Sequence, residues 1–117
     1  MSDTTPLQWL PAQGRAEQLM ILLHGVGSAG RAFEPLAQRL RAEFPQAAVM
    51  APDGFEPFDM GTNTEQPGRQ WFSVRGVTED NLAQRVAVAM PAFIDTVARW
   101  QRDSGVDAHG TTLVGFS

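Results

Sequence analysis

The end of the chain carries a tripeptide that could supply a catalytic serine. The apolar and β-branched run from Thr111 to Val114 predicts a buried strand, and Gly115-Phe116-Ser117 follows it directly. This is the first half of the pattern Gly-x-Ser-x-Gly, in which a strained strand-to-helix turn projects the serine hydroxyl from the sheet edge. The chemistry of such a serine is acyl transfer. The tripeptide alone is weak evidence, because a strand that runs into a polar turn has the same composition.

A glycine loop offers the second half of that chemistry. Gly25-Val26-Gly27-Ser28-Ala29-Gly30 follows His24 and the apolar run from Leu19 to Leu23. Backbone N–H groups aimed at the oxyanion of acyl transfer lower the barrier by about 3–4 kcal/mol each. In serine hydrolases one donor comes from a His-Gly loop after an early strand, and the other from the residue after the nucleophile. Val26 N–H is the predicted loop donor, and the other donor would belong to the residue after Ser117.

The same loop also fits a dinucleotide-binding site. Gly25, Gly27 and Gly30 have the spacing Gly-x-Gly-x-x-Gly between a strand and a helix. Asp53 ends the next strand about 20 residues later, where a ribose-binding acid is expected. His24 interrupts the fingerprint, and a Pro-Asp-Gly turn accounts for Asp53 without a ligand. This alternative leaves Ser117 without a role, and a non-catalytic α/β module is a third interpretation.

The elements that must position these residues alternate along the chain. The sequence predicts strands near 7–10, 19–23, 47–51 and 111–114, helices over 33–44 and from Thr78 to before Gly105, and an irregular loop over 55–76. Pro91 lies inside the second helix and predicts a kink or a break. This order predicts a mainly parallel sheet flanked by helices. Because chemistry lies at the carboxyl ends of such strands, the His24 loop, the Pro52 turn and Ser117 should share one edge.

Composition argues against several classes of function. The net charge of −4, without a run of Lys or Arg, argues against nucleic acid or an anionic membrane as the main partner. The chain has no cysteine, and its two histidines are far apart, which argues against a zinc site. No run approaches the ~20 apolar residues of a membrane span, and the first residues do not form a signal peptide. We expect a cytoplasmic protein without membrane insertion, in an oligomeric state that the composition leaves open.

Four segments, in order, resemble the carboxylesterase/phospholipase group of α/β-hydrolases, which includes the acyl-protein thioesterases. They are His24-Gly-Val-Gly27, Gly68-Arg-Gln-Trp-Phe-Ser73, Thr78-Glu-Asp-Asn81 and Gly115-Phe-Ser117. The resemblance spans roughly residues 17 to 117. It implies an α/β-hydrolase fold and hydrolysis of small esters or thioesters by a Ser-His-Asp triad, without metal or cofactor. By this resemblance Ser117 is the nucleophile and Val26 an oxyanion donor. His24, Gly25 and Gly27 then belong to the substrate-binding loop, and Trp71 and Phe72 line the acyl or alcohol pocket.

The resemblance also predicts what the chain lacks. In that family the triad aspartate and histidine follow the nucleophile, so neither His24 nor His109 is the expected base. His24 should order its loop through a hydrogen bond, and His109 should be solvated. We expect residues 1–117 to be the N-terminal portion of one α/β-hydrolase domain about twice as long, truncated after the nucleophile strand. Without its triad partners the chain should be nearly inactive.

Overall fold

Strands and helices alternate in the computed structural model, which describes residues 7–61 and 67–117. The strands are β1 (Leu7–Trp9), β2 (Gln18–Leu23), β3 (Ala47–Ala51), β4 (Glu56–Pro57), β5 (Arg69–Gln70) and β6 (Thr111–Gly115). The helices are α1 (Glu34–Glu43), which follows a short 3₁₀ turn, and α2 (Leu82–Ser104).

The main sheet contains four strands in the order β1, β3, β2, β6. Strand β2 pairs in parallel with both β3 and β6, while β1 pairs antiparallel with β3. The mainly parallel sheet predicted from the alternating pattern is therefore confirmed. Leu23 at the end of β2 lies opposite Gly115 at the end of β6, so the loops that follow these two strands meet at one edge.

The two central strands are buried on both faces, which explains why β2 and β3 show no polar alternation. One face packs against α2 and the segment after it, and the other packs against α1 and the turn before it. The first cluster contains Leu19, Ile21, Ala48, Met50, Trp100 and Val106. The second contains Leu22, Phe33, Ala37, Ala47, Val49 and Ala51. Successive residues of each strand therefore supply opposite sides of the core.

Helix α2 begins later than the predicted start at Thr78. Its N-cap is Asn81, whose side chain accepts a hydrogen bond from the Thr78 backbone N–H at 2.8 Å and donates one to the Gly76 carbonyl at 3.0 Å. These local bonds hold residues 78–81 in a turn, because a short amide side chain competes with the helix for backbone partners. The helix starts once this turn is complete.

Of the kink or break predicted at Pro91, the break is wrong, since α2 runs as one helix from Leu82 to Ser104, and the kink stays a prediction. A proline removes one backbone donor, but the hydrogen bonds on either side of it keep the remaining turns together. The predicted end is confirmed: Gly105 adopts a left-handed conformation with φ of 74°, and its N–H donates to the Gln101 carbonyl at 2.9 Å.

The apolar side chains of α2 are buried at only one end of the helix. Trp100 is 5% exposed, whereas Val86 and Ile94 are 40% and 56% exposed. Strand β6 is likewise exposed at Leu113, and within the described residues its only partner is β2. An uncovered apolar face therefore extends from the sheet edge to the first half of α2.

The segment predicted to be an irregular loop contains a two-residue ribbon, in which Glu56 pairs with Gln70. Gln70 is 1% exposed; its side-chain amide donates to Glu56 Oε1 at 2.7 Å and accepts from the Asp59 backbone N–H at 3.2 Å. A buried amide with both ends bonded fixes the base of the loop. Residues 62–66 of the predicted loop lie outside the described residues.

Candidate active site

The loop after β2 lies against the residues that follow β6. Phe116 N–H donates to the Leu23 carbonyl at 3.1 Å, which extends the strand pairing by one bond. A Cβ atom placed on Gly25 would lie 3.2 Å from Phe116 O and 3.6 Å from Ser117 Cα. The glycine loop and Ser117 therefore meet at the carboxyl edge of the sheet, as predicted from the order of the elements.

Three of the six backbone amides of the glycine loop, Gly25 to Gly30, donate to acceptors among the described residues. Gly27 N–H donates to the Arg69 carbonyl at 2.8 Å, and Ser28 N–H to the Gly25 carbonyl at 3.1 Å. The Gly30 amide donates to a carboxylate oxygen of Asp53 at 2.8 Å. No acceptor for Val26 N–H lies among the described residues. The one amide predicted to bind an oxyanion is thus left available beside Ser117.

Gly68 and Arg69 pack against the glycine loop, and Arg69 forms a hydrogen bond with it. Arg69 N–H donates to the Ser28 carbonyl at 2.7 Å, and its guanidinium Nε donates to the Gly54 carbonyl at 3.1 Å. A Cβ atom on Gly68 would overlap the Gly27 carbonyl oxygen. The close approach requires glycine at this position. No role for Arg69 was predicted from the sequence, although this residue immediately follows that glycine.

The residues of the dinucleotide fingerprint have other partners in the structure. Asp53 bonds the loop at Gly30, so its carboxylate fastens the β3 turn to the loop. A Cβ atom on Gly30 would overlap the Ala51 carbonyl oxygen. Packing within the chain therefore accounts for both residues without a nucleotide, which favours the hydrolase interpretation of the loop.

His24 is a buried connector with both ring nitrogens engaged. It is 2% exposed; Nε2 accepts from Gly54 N–H at 2.8 Å, and Nδ1 lies 2.7 Å from the Gly25 carbonyl oxygen. Because Nε2 accepts from an amide, the neutral ring must carry its proton on Nδ1. Burial lowers the pKa of His24 below its ordinary value. The predicted loop-ordering hydrogen bond is present, and neither nitrogen is free to accept a proton from Ser117.

The lowered pKa of His24 predicts that the protein loses stability on acidification. The folded state binds a proton at His24 less readily than the unfolded state, so the free energy of unfolding falls as the pH drops below about 6.5. His24 changes the free energy of unfolding by at most about 1.4 kcal/mol per pH unit, and this dependence ends once the pH lies below the folded-state pKa of His24. Urea unfolding at a series of pH values between 7.5 and 5.0 measures how the free energy of unfolding depends on pH.

Two variants isolate the contribution of His24. His24→Gln retains an acceptor for Gly54 N–H without a titrating ring, so its slope between pH 6.5 and 5.0 should be flatter than that of the wild type. His109→Gln, at an exposed position away from the His24 loop, is the control substitution. Equal slopes in wild type and His24→Gln would contradict the assignment.

Trp71 lies at the centre of a group of aromatic rings beside His24. Its indole N–H donates to the His24 carbonyl at 2.8 Å, and its ring stacks on the His24 ring with centroids 5.1 Å apart. Phe55 and Phe93 contact Trp71 edge-on, at 5.3 Å and 6.4 Å. Because the indole is bonded at its polar end and packed on its faces, it forms a rigid wall.

Two cavities adjoin this wall. The first, about 230 Å³, contains Ser117 and Val26 in its lining, together with Trp71, Phe72 and Val74. The second, about 280 Å³, is almost entirely apolar. It is lined by Leu23, His24, Phe55, Trp71, Phe72, Val86, Ala89, Met90, Phe93, Gly115 and Phe116. Trp71 and Phe72 border both, so the predicted pocket residues are adjacent to the candidate nucleophile.

The other titratable residues considered in the sequence lie away from this site. His109 is exposed and precedes β6, at the opposite end of that strand from Ser117. Asp95 is exposed on α2. Within residues 7–61 and 67–117, no three His, Cys, Asp or Glu side chains are grouped to hold a metal ion. None of the described helices is long and apolar enough to span a membrane.

Comparison with known proteins identifies relatives of this arrangement. Residues 10–117 match the family model described as Phospholipase/Carboxylesterase. The chain is 46% identical over 102 residues to Esterase YpfH of Escherichia coli (strain K12), an overlap that covers 87% of this chain and 42% of that protein. The crystal structure of esterase PE8 matches with a TM-score of 0.78 at 29% identity, over 96% of this chain and 51% of that one.

A carboxylesterase from Mesorhizobium loti shares the fold, with a TM-score of 0.60 at 22% identity, over 85% of this chain and 42% of the other. The chain thus spans about half the length of these relatives or somewhat less.

Proposed function

Since this chain belongs to the phospholipase/carboxylesterase family, with the α/β-hydrolase fold, we propose that the protein containing it hydrolyses carboxylic esters through an acyl-serine intermediate. Ser117 is the nucleophile in this proposal. The observation that carries it is the contact between the Gly25 loop and the Ser117 backbone, beside an amide without an acceptor among the described residues.

The reaction follows from this geometry. Ser117 Oγ attacks the ester carbonyl carbon while a general base takes the hydroxyl proton, and the carbonyl oxygen becomes an oxyanion. Val26 N–H donates to that oxyanion, and the hydrogen bonds that bind Gly27, Ser28 and Gly30 keep the donor in place before the substrate arrives. The alcohol then leaves with the proton. Water attacks the acyl-serine, releases the acid and restores Ser117.

The aromatic wall supplies the substrate contacts. Trp71 and Phe72 border the cavity that contains Ser117, and the indole is immobilised through His24. A small acyl or alcohol group that packs on these rings is removed from water as the ester reaches the serine. Thioesters share the same carbonyl chemistry and belong to the proposed substrate range, and the proposed location is the cytoplasm.

The base and its carboxylate partner are proposed to come from outside residues 1–117. His24 is buried with both nitrogens engaged, and His109 lies at the far end of β6. The relatives are roughly twice as long as this chain, so there is room for both groups elsewhere in the protein. On this proposal residues 1–117 contain neither the general base nor the second oxyanion donor.

Covalent labelling tests the nucleophile. A fluorophosphonate reacts with serines that a neighbouring base activates, so the full-length protein should gain one adduct, and peptide mapping should locate it at Ser117. Ser73 is the matched control because its hydroxyl is engaged at 2.5 Å with Asp59 Oδ2: Ser73→Ala should label normally and Ser117→Ala should not. An adduct on another serine would exclude the proposal.

A further inference from the structure

A groove distinct from the two cavities described above also borders Phe72. It has a volume of about 600 Å³, and its lining includes Phe72, Ser73, Arg75, Gln84 and Arg85. Phe72 also lines the cavity of Ser117, as does Val74. Residues 72–75 therefore alternate, with Val74 toward the serine and Ser73 and Arg75 toward the groove. The two spaces are separated by a single segment of chain.

The groove carries positive charge that the described residues only partly neutralise. Arg75 is held by Asp59, whose backbone carbonyl accepts from the guanidinium and whose carboxylate lies 3.8 Å from Arg75 Nε. Arg85 is partly buried and donates Nη1 to the Ser73 carbonyl at 2.6 Å. Within the described residues, no carboxylate lies within ion-pair distance of Arg85. The Arg85 guanidinium is thus oriented by a neutral carbonyl, and no carboxylate among the described residues offsets its positive charge.

Such an arginine is suited to an anionic ligand. A guanidinium presents several N–H donors in a plane, which match two oxygens of a carboxylate or phosphate. Holding Nη1 on the Ser73 carbonyl orients that plane in advance, so less side-chain freedom is lost on binding. The apolar Phe72 and Val88 that border the groove would contact the hydrocarbon that carries the anion.

We propose that Arg85, assisted by Arg75, forms an anion subsite that selects esters with a carboxylate or phosphate on the far side of Phe72 from the scissile bond. The inference rests on the proposed function, since it concerns the substrates of the same serine. Val74 lines the cavity that contains Ser117, and Ser73 and Arg75 line the groove, so the anion site and the serine lie on different sides of this short stretch of chain. Substrates should therefore carry their anion several bonds from the ester.

The test compares charged and neutral esters of equal length in the full-length protein. The probes are 4-nitrophenyl monoesters of adipic and suberic acid, each with a free carboxylate, and the corresponding ω-carboxamides. The wild type should favour the carboxylate in kcat/KM by about tenfold for at least one chain length. Arg85→Gln should bring that ratio close to one, with turnover of the neutral amides unchanged. Arg85→Lys should retain part of the preference, because it keeps the charge without the planar fork.

Arg102→Gln provides the matched control. It removes the same charge from an exposed position near the other end of α2, so it should leave the ratio at the wild-type value. Added salt should lower the wild-type preference, because the groove is open to solvent. Equal ratios in wild type and Arg85→Gln, for both chain lengths, would overturn the subsite.

Ser117→Ala separates the two proposals. Loss of turnover of both the charged and the neutral probe in this variant would support the serine mechanism. With that loss established, an unaltered ratio in Arg85→Gln would remove the anion subsite alone. Turnover that persists in Ser117→Ala would instead overturn the proposed function and, with it, the basis of the subsite.

Discussion

Ser117→Ala in the full-length protein is expected to reduce kcat for 4-nitrophenyl butyrate by at least about 10⁴-fold, with KM little changed. In the proposed mechanism the serine forms the covalent bond to the acyl group, so its loss would leave only oxyanion stabilisation and binding to assist water. The substitution removes one exposed hydroxyl, so the fold should be unaffected. Steady-state kinetics on the purified variant measures the change.

Two further measurements make this result specific to the nucleophile. Ser73→Ala removes a hydroxyl on the other side of the Phe72 wall and should retain kcat within a few-fold, although it loses the bond to Asp59. Thermal unfolding of Ser117→Ala should match the wild type, which excludes misfolding as the cause. A kcat within tenfold of the wild type would rule out Ser117 as the nucleophile.

Residues 1–117 alone are expected to hydrolyse 4-nitrophenyl butyrate at least about 10⁴-fold more slowly than the full-length protein, because the serine lacks its base. The proposed oxyanion donor, Val26 N–H, is present in the short chain, but a single preorganised amide contributes only about 3–4 kcal/mol. Comparing kcat/KM of the two purified proteins tests this. Serine-dependent turnover by the short chain within tenfold of the longer one would mean that a base lies within residues 1–117.

The short chain should also associate with itself. Val88 is 75% exposed, Ile94 56% and Leu113 48%, and β6 forms an edge of the sheet in the described structure. An apolar strand edge is a template for pairing with another chain. Sedimentation velocity should detect concentration-dependent association that is absent from the full-length protein. A monomeric short chain that unfolds cooperatively would contradict this expectation.

Local pattern predicted the strands and the ends of helices well. The run from Leu19 to Leu23 in β2 and the run from Ala47 to Ala51 in β3 are apolar at every position, as expected of strands covered on both faces, and the structure buries them between α1 and α2. Gly105 was sufficient to end α2, because a left-handed residue stops a helix regardless of its surroundings. The N-cap of α2 was predicted three residues early, at Thr78 instead of Asn81, since the side-chain bonds of Asn81 depend on a turn geometry that composition does not reveal.

The sequence by itself determined which residues reach the carboxyl edge of the sheet. Parallel pairing follows from the alternation of elements and places the loops after the strands at one edge, while the pairing of β2 with β6, which the structure shows, brings the Gly25 loop to Ser117. Parallel pairing and the shared edge are consequences of one-dimensional periodicity and chain connectivity. The role of Ser117 as nucleophile stays a prediction, which the labelling and kinetic experiments address.

Only the tertiary structure decided how the edge is held together and what surrounds it. His24 bonds Gly54, Asp53 bonds Gly30, and Arg69 bonds Ser28, across sequence separations of 30, 23 and 41 residues. Such bonds depend on the distance and direction between atoms that are remote in the chain. Local residue pattern contains no information on either, and the same holds for the groove at Arg85.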